Sequence, residues 1–298
     1  MDILVLLLVD GLSDAALIFF IAVGLTLVFS VLRILNVAHG SFYSIGAYVA
    51  VIFASGIVDA GLSPWLILPA LLVGAMLVAI IFGPLVERAL IRWTYGKPGA
   101  TQILVTFALF LILEDVQKFI FGVQAYYQDA LMQVFGTSNI GGIIYLNYQL
   151  VQIVLAVVVI VGLRLLLRRT RIGRLVVAVV ADREVAETLG VNSRQVFMIA
   201  FTLGIFLAAL GGALASPTSG VAPGLGAEAI VLGFAVAAIG GLGQIEGAAI
   251  AAIIVGLARA AAIYYAPEFE PVMPYIVMLA VLAIRPYGLF GSVQARRI

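Results

Sequence analysis

The sequence predicts an all-α, polytopic integral membrane protein of eight or nine transmembrane helices, and three observations carry that prediction. Of its 298 residues 64% are hydrophobic and only 10% charged, with a mean hydropathy of +1.22. So few charges cannot cover a soluble surface. The apolar runs are continuous and about 20 residues long, the length a helix needs to cross a bilayer, whereas a barrel would show short alternating segments. Basic residues also collect in every second connection, as the positive-inside rule requires of a multi-spanning chain. A net charge of +1 gives no basis for nucleic-acid binding, and the absence of cysteine excludes disulfide and thiol chemistry.

The spans follow in order. The first covers about 4–31, interrupted by Asp10 and Asp14, with its firm part from Ala15. No basic residue precedes Arg33, so the N-terminus is expected outside and Arg33 inside. Without a basic leading region this stretch reads as a span and not a cleaved signal. The second span returns outward with an unusually polar first half: Asn36, His39, Ser41, Tyr43 and Ser44. Its Gly40, Ser44, Gly46 and Ala50 invite close helix approach. Residues 61–64 make a turn, Trp65 suits an interfacial anchor, and the third span runs over about 66–85. Glu87, Arg88, Arg92 and Lys97 mark the next connection as cytoplasmic.

The fourth span, about 100–122, carries Glu114, Asp115 and Lys118 toward its outer end, with Glu114 and Lys118 spaced for an ion pair. Residues 123–148, with Asp129 as their only charge, read as an exterior loop. The fifth span is about 150–167. The sixth, about 196–215, bears Gly204, Ala208 and Gly212 at intervals of four, a stripe for tight packing. A Pro/Gly-rich outer turn (217–226) precedes a short apolar run, 228–242, that is a tilted span, a broken helix or a re-entrant piece. Gly240, Gly241 and Gly243, in the glycine-rich turn at its end, are further candidates for close helix packing. Segments 249–265 and 272–284 follow, and Arg296 and Arg297 place the C-terminus inside. Residues 1–298 form one transmembrane domain.

The connection at about 168–195 is the long charged segment of the chain. Arg164, Arg168, Arg169, Arg171 and Arg174 lead into it. Within it, Asp182 is placed as an N-cap. Arg183, Glu184 and Glu187 point one way, while Val185, Ala186 and Leu189 fall together at helical spacing. Gly190 is placed to end the helix in a left-handed cap with Val191 against Ala186. Asn192, three residues before Gln195, reads as a capping box for the next span. Such an element is either a docking site for a soluble partner or a basic loop that only sets topology.

Missing chemistry narrows the function. With Lys97 and Lys118 as the only lysines, no phosphate-binding loop exists. One histidine and no cysteine leave no basis for a metal site or a Cys–His pair. No catalytic residues are therefore assigned, and the chain is read as a non-enzyme. Asn36 and His39 suit helix capping or backbone bonding more than substrate contact. Arg259 lies mid-span, where an ionisable group faces protein or water and has a partner; Glu114 or Asp115 is the expected partner. Asn36, His39, Ser41, Glu114 and Arg259 are the candidates for a translocation path.

Four segments carry a resemblance: GLTLVFSVLRILNVAHGSFYSIGAYVA (24–50), GRLVVAVVADREVAETLGVN (173–192), AAIGGLGQIEGA (237–248) and RPYGLFG (285–291). In this order and spacing the chain resembles the LivH-type permeases of ABC importers for branched-chain amino acids. The resemblance implies a second homologous permease enclosing the path, two cytoplasmic ABC ATPases and an external substrate-binding protein. It implies that ATP and magnesium are bound by the ATPases and no cofactor by this chain. It also implies that Asp182, Arg183, Glu184, Glu187 and Gly190 form the ATPase-coupling loop, in a bacterial cytoplasmic (inner) membrane. Two positions depart from the family pattern: Glu246, where proline is common, and Arg259, where an acidic residue is frequent. The cargo stays open between a branched-chain amino acid and urea, an amide or another small solute. The pairing stays open between homodimer and heterodimer. The competing class is an ion-coupled secondary transporter, which places coupling acids at the bilayer midplane; here the acids gather toward the outer ends.

Overall fold

The computed structural model describes residues 2–140 and 143–291. Its helices are α1 (Asp2–Leu32), α2 (His39–Asp59), α3 (Ile67–Ala89), α4 (Gly99–Phe121), α5 (Ala130–Phe135), α6 (Asn147–Arg169), α7 (Arg171–Ala181), α8 (Arg183–Thr188), α9 (Ser193–Ala215), α10 (Leu225–Gly240), α11 (Ile245–Tyr265) and α12 (Met273–Ile284). Among the described residues seven helical stretches are long and apolar enough to cross a membrane. They contain α1, α2, α3, α6, α9, α11 and α12. Helix α4 is also 23 residues long but carries three charges near its end. At 16 residues, α10 reaches about 24 Å, short of the roughly 30 Å hydrocarbon core. The expected count of eight or nine thus becomes seven full apolar crossings, with a helix at both remaining positions.

Asp10 and Asp14 do not interrupt α1, contrary to expectation, because each carboxylate has partners. Asp10 accepts from Gln149 Nε2 at 2.8 Å and from the Tyr264 hydroxyl, and Asp14 accepts from Arg259. A polar group within the bilayer is tolerated once satisfied in this way.

Helices α1 and α9 form the centre, packed on each other and on α2, α3, α10 and α11. Phe20, Leu25, Val28, Phe42, Phe201, Ile205 and Ala208 are fully buried there. In lipid the apolar effect does not drive helices together, so close backbone approach takes its place. The expected stripe on α9 does this: a Cβ at Gly24 would stand 2.8 Å from the Gly204 carbonyl, and one at Gly212 would overlap the Tyr43 carbonyl. The outer faces of α3, α4, α6 and α12 expose Ile80, Leu104, Val157 and Leu279.

Residues 33–38 are not helical. They lead to His39, whose ring lies against Gly24 of α1. Gly24 is eight residues before the end of α1 at Leu32, so His39 sits about 12 Å inside that end. Ala38, not a polar side chain, occupies the N-cap of α2. Among the described residues the Asn36 side chain is fully buried and has no hydrogen-bond partner, so the expectation that it caps a helix or bonds a carbonyl is corrected. His39 is buried beside the Ile21 backbone of α1 and caps no helix.

The segment expected outside, 123–148, is more ordered than a loop. It contains α5 and an antiparallel hairpin of β1 (Thr137–Ile140) and β2 (Ile143–Leu146), with Thr137 opposite Leu146. Trp65 packs edge-on against Phe135 of α5 at 5.2 Å while remaining 58% exposed. Strands of four residues beside glycines leave too little periodicity to be read in advance. At the other end of the bundle two glycine motifs meet. Gly240 abuts Gly247 across the α10–α11 turn, and Gly241 meets Gly291. Leu289 and Phe290 donate backbone bonds to Ile239 and Gly240 at 2.8 and 3.2 Å. Gly243 lies beside Ser30 of α1. Arg296 and Arg297 lie outside the described residues.

Candidate coupling arm and transport path

The segment expected as a basic loop with one small helix is an arm of two helices. Thr170 starts it: its hydroxyl oxygen accepts from Gly173 N at 3.0 Å, a side-chain N-cap for α7. Gly173 turns tightly onto the carbonyls of Leu166 and Leu167, where a side chain would overlap backbone. Along α7, Gly173, Val176 and Val179 face inward, while Ile172, Leu175 and Val177 are exposed. The spacing of those valines was a readable helical signal, hidden by the surrounding arginines.

Helix α8 is built as its sequence suggests at both ends. Asp182 Oδ1 accepts from Val185 N at 3.1 Å. Gly190 has φ +85°, and Gly190 N and Val191 N donate to Glu187 O and Ala186 O, each at 3.0 Å. This paired cap needs a left-handed residue, which glycine supplies without a Cβ penalty. Arg183 Nε meets Glu187 Oε1 at 2.8 Å. Glu184 points outward without a hydrogen bond, and the grouping of Val185 and Leu189 with Ala186 is corrected: Ala186 is buried, but Val185 and Leu189 are 54% and 79% exposed. Six residues give too few turns to hide three side chains on one face.

The arm is joined to the bundle at several points. Asn192 Oδ1 accepts from Gln195 N at 3.2 Å at the start of α9, and Ser193 donates to Glu187. The Ser193 hydroxyl and then Arg183 hold the Glu187 carboxyl below its ordinary range. Arg183 also lies over the Phe197 ring, 5.1 Å from its centroid, and Phe197 packs edge-on against Tyr95 at 5.1 Å. Tyr95 donates to Glu87 Oε1 at 2.9 Å, and Arg92 Nη2 donates to Glu87 Oε2 at 3.0 Å. Burial, with Glu87 beside it, pushes the Tyr95 phenol up. Glu87 is fully buried. Phe197 and Tyr95 were not singled out in the sequence, and Glu87 was named only as a marker of the cytoplasmic connection, since only the fold brings 87–95 beside 183–197.

The five path candidates fall in three places. Ser41 and Glu114 share a small cleft with Ser44, Gln117 and Gly226. There Ser44 donates to Gln117 Oε1 at 2.6 Å and Ser41 to Phe110 O at 3.4 Å. Helix α10 starts at this cleft, behind Gly224 at φ +96°, so its N-terminal end opens beside hydroxyls inside the bundle. Asn36 and His39 form the second place, buried against the centre. Arg259 is the third, and its expected partner is corrected. It is held by Asp14, at 2.7 and 2.8 Å from Nη1, and by Glu270. Glu114 and Asp115 instead meet Lys118 at 3.0 and 3.5 Å. Helix α4 packs on α2, whereas α11 packs on α1, α10 and α12, which sets Arg259 beside Asp14 and not beside those acids. Among the described residues no three potential metal ligands converge. Beside the arm, Phe29, Arg33, Val180, Gly243 and Tyr287 border a cavity of about 570 Å³.

The sequence of residues 7–282 matches the family model described as branched-chain amino acid transport system / permease component. The chain is 29% identical to the high-affinity branched-chain amino acid transport system permease protein BraD of Pseudomonas aeruginosa, over 98% of this chain and 97% of that protein. It is 28% identical to the LivH permease protein of that system in Escherichia coli K12, over 93% of this chain and 92% of the relative. It is also 28% identical to a probable branched-chain amino acid transport permease protein LivH of Methanocaldococcus jannaschii, over 91% and 87% of the two chains. No solved structure matches the chain.

Proposed function

The chain belongs to the family of branched-chain amino acid transport system permease components, and on that premise we propose that it moves branched-chain or related small amino acids inward as one subunit of an ATP-driven importer. A second homologous permease, two cytoplasmic ABC ATPases and an external binding protein complete the assembly. ATP and magnesium sit in the ATPases. The arm end of the bundle, with Arg33, Arg88, Arg92, Lys97 and Arg164–Arg194, faces the cytoplasm, and the N-terminus lies outside. The membrane is the bacterial inner membrane.

The observation that carries the reading is the arm. Helix α8 presents Val185, Glu184 and Leu189 outward, yet it is fastened to α9 by Asn192, Ser193 and the Arg183–Phe197 contact. A partner gripping that exposed face moves α9. Helix α9 in turn meets α1 and α2 backbone to backbone at Gly204 and Gly212, so the displacement passes to the centre of the bundle as a rigid-body shift. Ser41, Glu114 and the start of α10 lie on the side of α2 toward α4, where the path to a second permease would run. No observation favours the ion-coupled reading.

The test is purification of the tagged chain from native membranes in mild detergent beside Glu184→Arg, with ATPase activity measured. Among the described residues Glu184 has no hydrogen bond or ion pair to lose, so the change acts chiefly on the exposed face of α8. Co-purification of ATPases and a second permease, lost or uncoupled in the variant, is expected. A chain that purifies alone and moves substrate on an ion gradient without ATP would overturn the reading.

A further inference from the structure

Resting on that reading, we propose that the cavity lined by α1, α2, α10, α11 and the turn that follows α9 is a binding site for the primary ammonium group of the transported amino acid, with Asp14 as its main acceptor. The cavity measures about 280 Å³, and its polar lining is Asp14, Tyr43, Thr218, Ser219 and Arg259. That volume sits just below the usual range of about 300–1,000 Å³ for small-molecule pockets, which suits a solute of amino-acid size.

The lining is rich in acceptors. Arg259 points Nη1 at both oxygens of Asp14, at 2.7 and 2.8 Å, and Nε and Nη2 at Glu270. The guanidinium is thus engaged by two carboxylates, and one negative charge is left over. The hydroxyls of Thr218 and Ser219 donate to the Ala215 carbonyl at 3.0 and 2.9 Å. Their protons are used and their lone pairs remain. Tyr43 is 7% exposed and borders the cavity, and among the described residues its hydroxyl makes no hydrogen bond. A phenol in that position accepts from an ammonium or donates to the carboxylate beside it. Leu17, Ile21 and Leu232 supply apolar walls for an aliphatic side chain. A triad that only clamped α1 to α11 would account for the Arg259 pairs, but it would not call for hydroxyl acceptors and an unpaired phenol around the same space.

The chain has no cysteine, so Ser219→Cys places one reporter in the cavity without touching the charges. The assembled transporter is reconstituted in liposomes, leucine uptake is measured, and the cysteine is treated with ammonium-bearing and sulfonate-bearing thiosulfonates of similar size. The expected result is modification by the cationic reagent at least roughly tenfold faster, a floor that lies between the effect one uncompensated charge has at about 4 Å in bulk water and the larger effect it has near a protein surface. Leucine should protect the cysteine and 4-methylpentanoate, which lacks the ammonium, should not. Asp14→Asn should abolish the charge preference. Tyr43→Phe, which keeps the triad, should weaken leucine protection even if Asp14→Asn fails to fold. Equal modification by both reagents, equal protection by 4-methylpentanoate, or protection that needs an aminophospholipid and not leucine would each overturn the site. Any of these alongside ATP-driven leucine uptake leaves the permease reading standing, whereas absent uptake strikes that reading itself.

Discussion

Replacing Gly190 by alanine isolates the backbone contribution of the arm's cap. Nothing lies within 4 Å of where a Cβ at Gly190 would stand, and φ there is +85°. No clash accompanies the change, and the effect is the left-handed conformation itself, roughly 1–2 kcal/mol for a residue with a Cβ. Helix α8 has six residues, far below the length at which a helix holds itself in water. It has little reserve: Asp182 contributes about 1 kcal/mol as an N-cap, and the Arg183–Glu187 pair is exposed and screened by solvent. The opening equilibrium of α8 should therefore rise roughly 5- to 30-fold. Hydrogen exchange in detergent reads this directly at the amides of Ala186, Leu189, residue 190 and Val191, which donate within α8 and its cap. Exchange at Leu207–Leu210 in α9 should not change. Asp182→Asn, which keeps an accepting side chain, should match the parent, and Asp182→Ala should speed α8 exchange roughly fivefold for about 1 kcal/mol. Unchanged α8 exchange in Gly190→Ala would refute the view that the caps hold the arm together.

Three other outcomes are expected. Gly212→Val drives a branched side chain into the Tyr43 carbonyl and should cost about 1–3 kcal/mol or more, seen as lost monodisperse yield and a lower Tm in detergent. Gly162→Val, at an open position of α6, should leave both unchanged. Arg259→Met should lower Tm more than Lys118→Met, because it leaves Asp14 and Glu270 without their shared cation. Lys118 serves an exposed, solvent-screened pair. An equal drop in both would contradict the triad. Finally, the Glu187 carboxyl is held below its ordinary value of 4.5 by Ser193 and Arg183. A depressed folded pKa gives a contribution that is present above the unfolded value and is lost as pH falls through the folded one. The α8 exchange difference between parent and Glu187→Gln should hold from neutral pH to about pH 4.5 and shrink below it. Ser193→Ala should move that loss to higher pH.

The local features were legible because each depends on neighbours in sequence. Asp182, Gly190 and Asn192 act within three to five residues of themselves, so residue type and spacing were enough to place both ends of α8 and the start of α9. The stripe Gly204–Ala208–Gly212 was likewise visible from its period, as were the apolar runs and the Glu114–Lys118 pair. Helix α7 was hidden because its polar arginines outweighed a short inward stripe. The hairpin was hidden because four-residue strands make no pattern of their own.

The sequence alone determined that this chain crosses a membrane repeatedly, which end of the bundle is basic and where its capped arm lies, since hydropathy, charge distribution and capping act over a few turns of helix. Only the tertiary structure decided that Arg259 meets Asp14, 245 residues away, that Tyr95 links Glu87 to Phe197, and that Asn36 and His39 are fully buried at the centre of the bundle. A buried charge takes whichever opposite charge the packing brings within reach, and several acids were available to Arg259. The close passage of α1 along α11, at Gly11 and Gly256, made that choice.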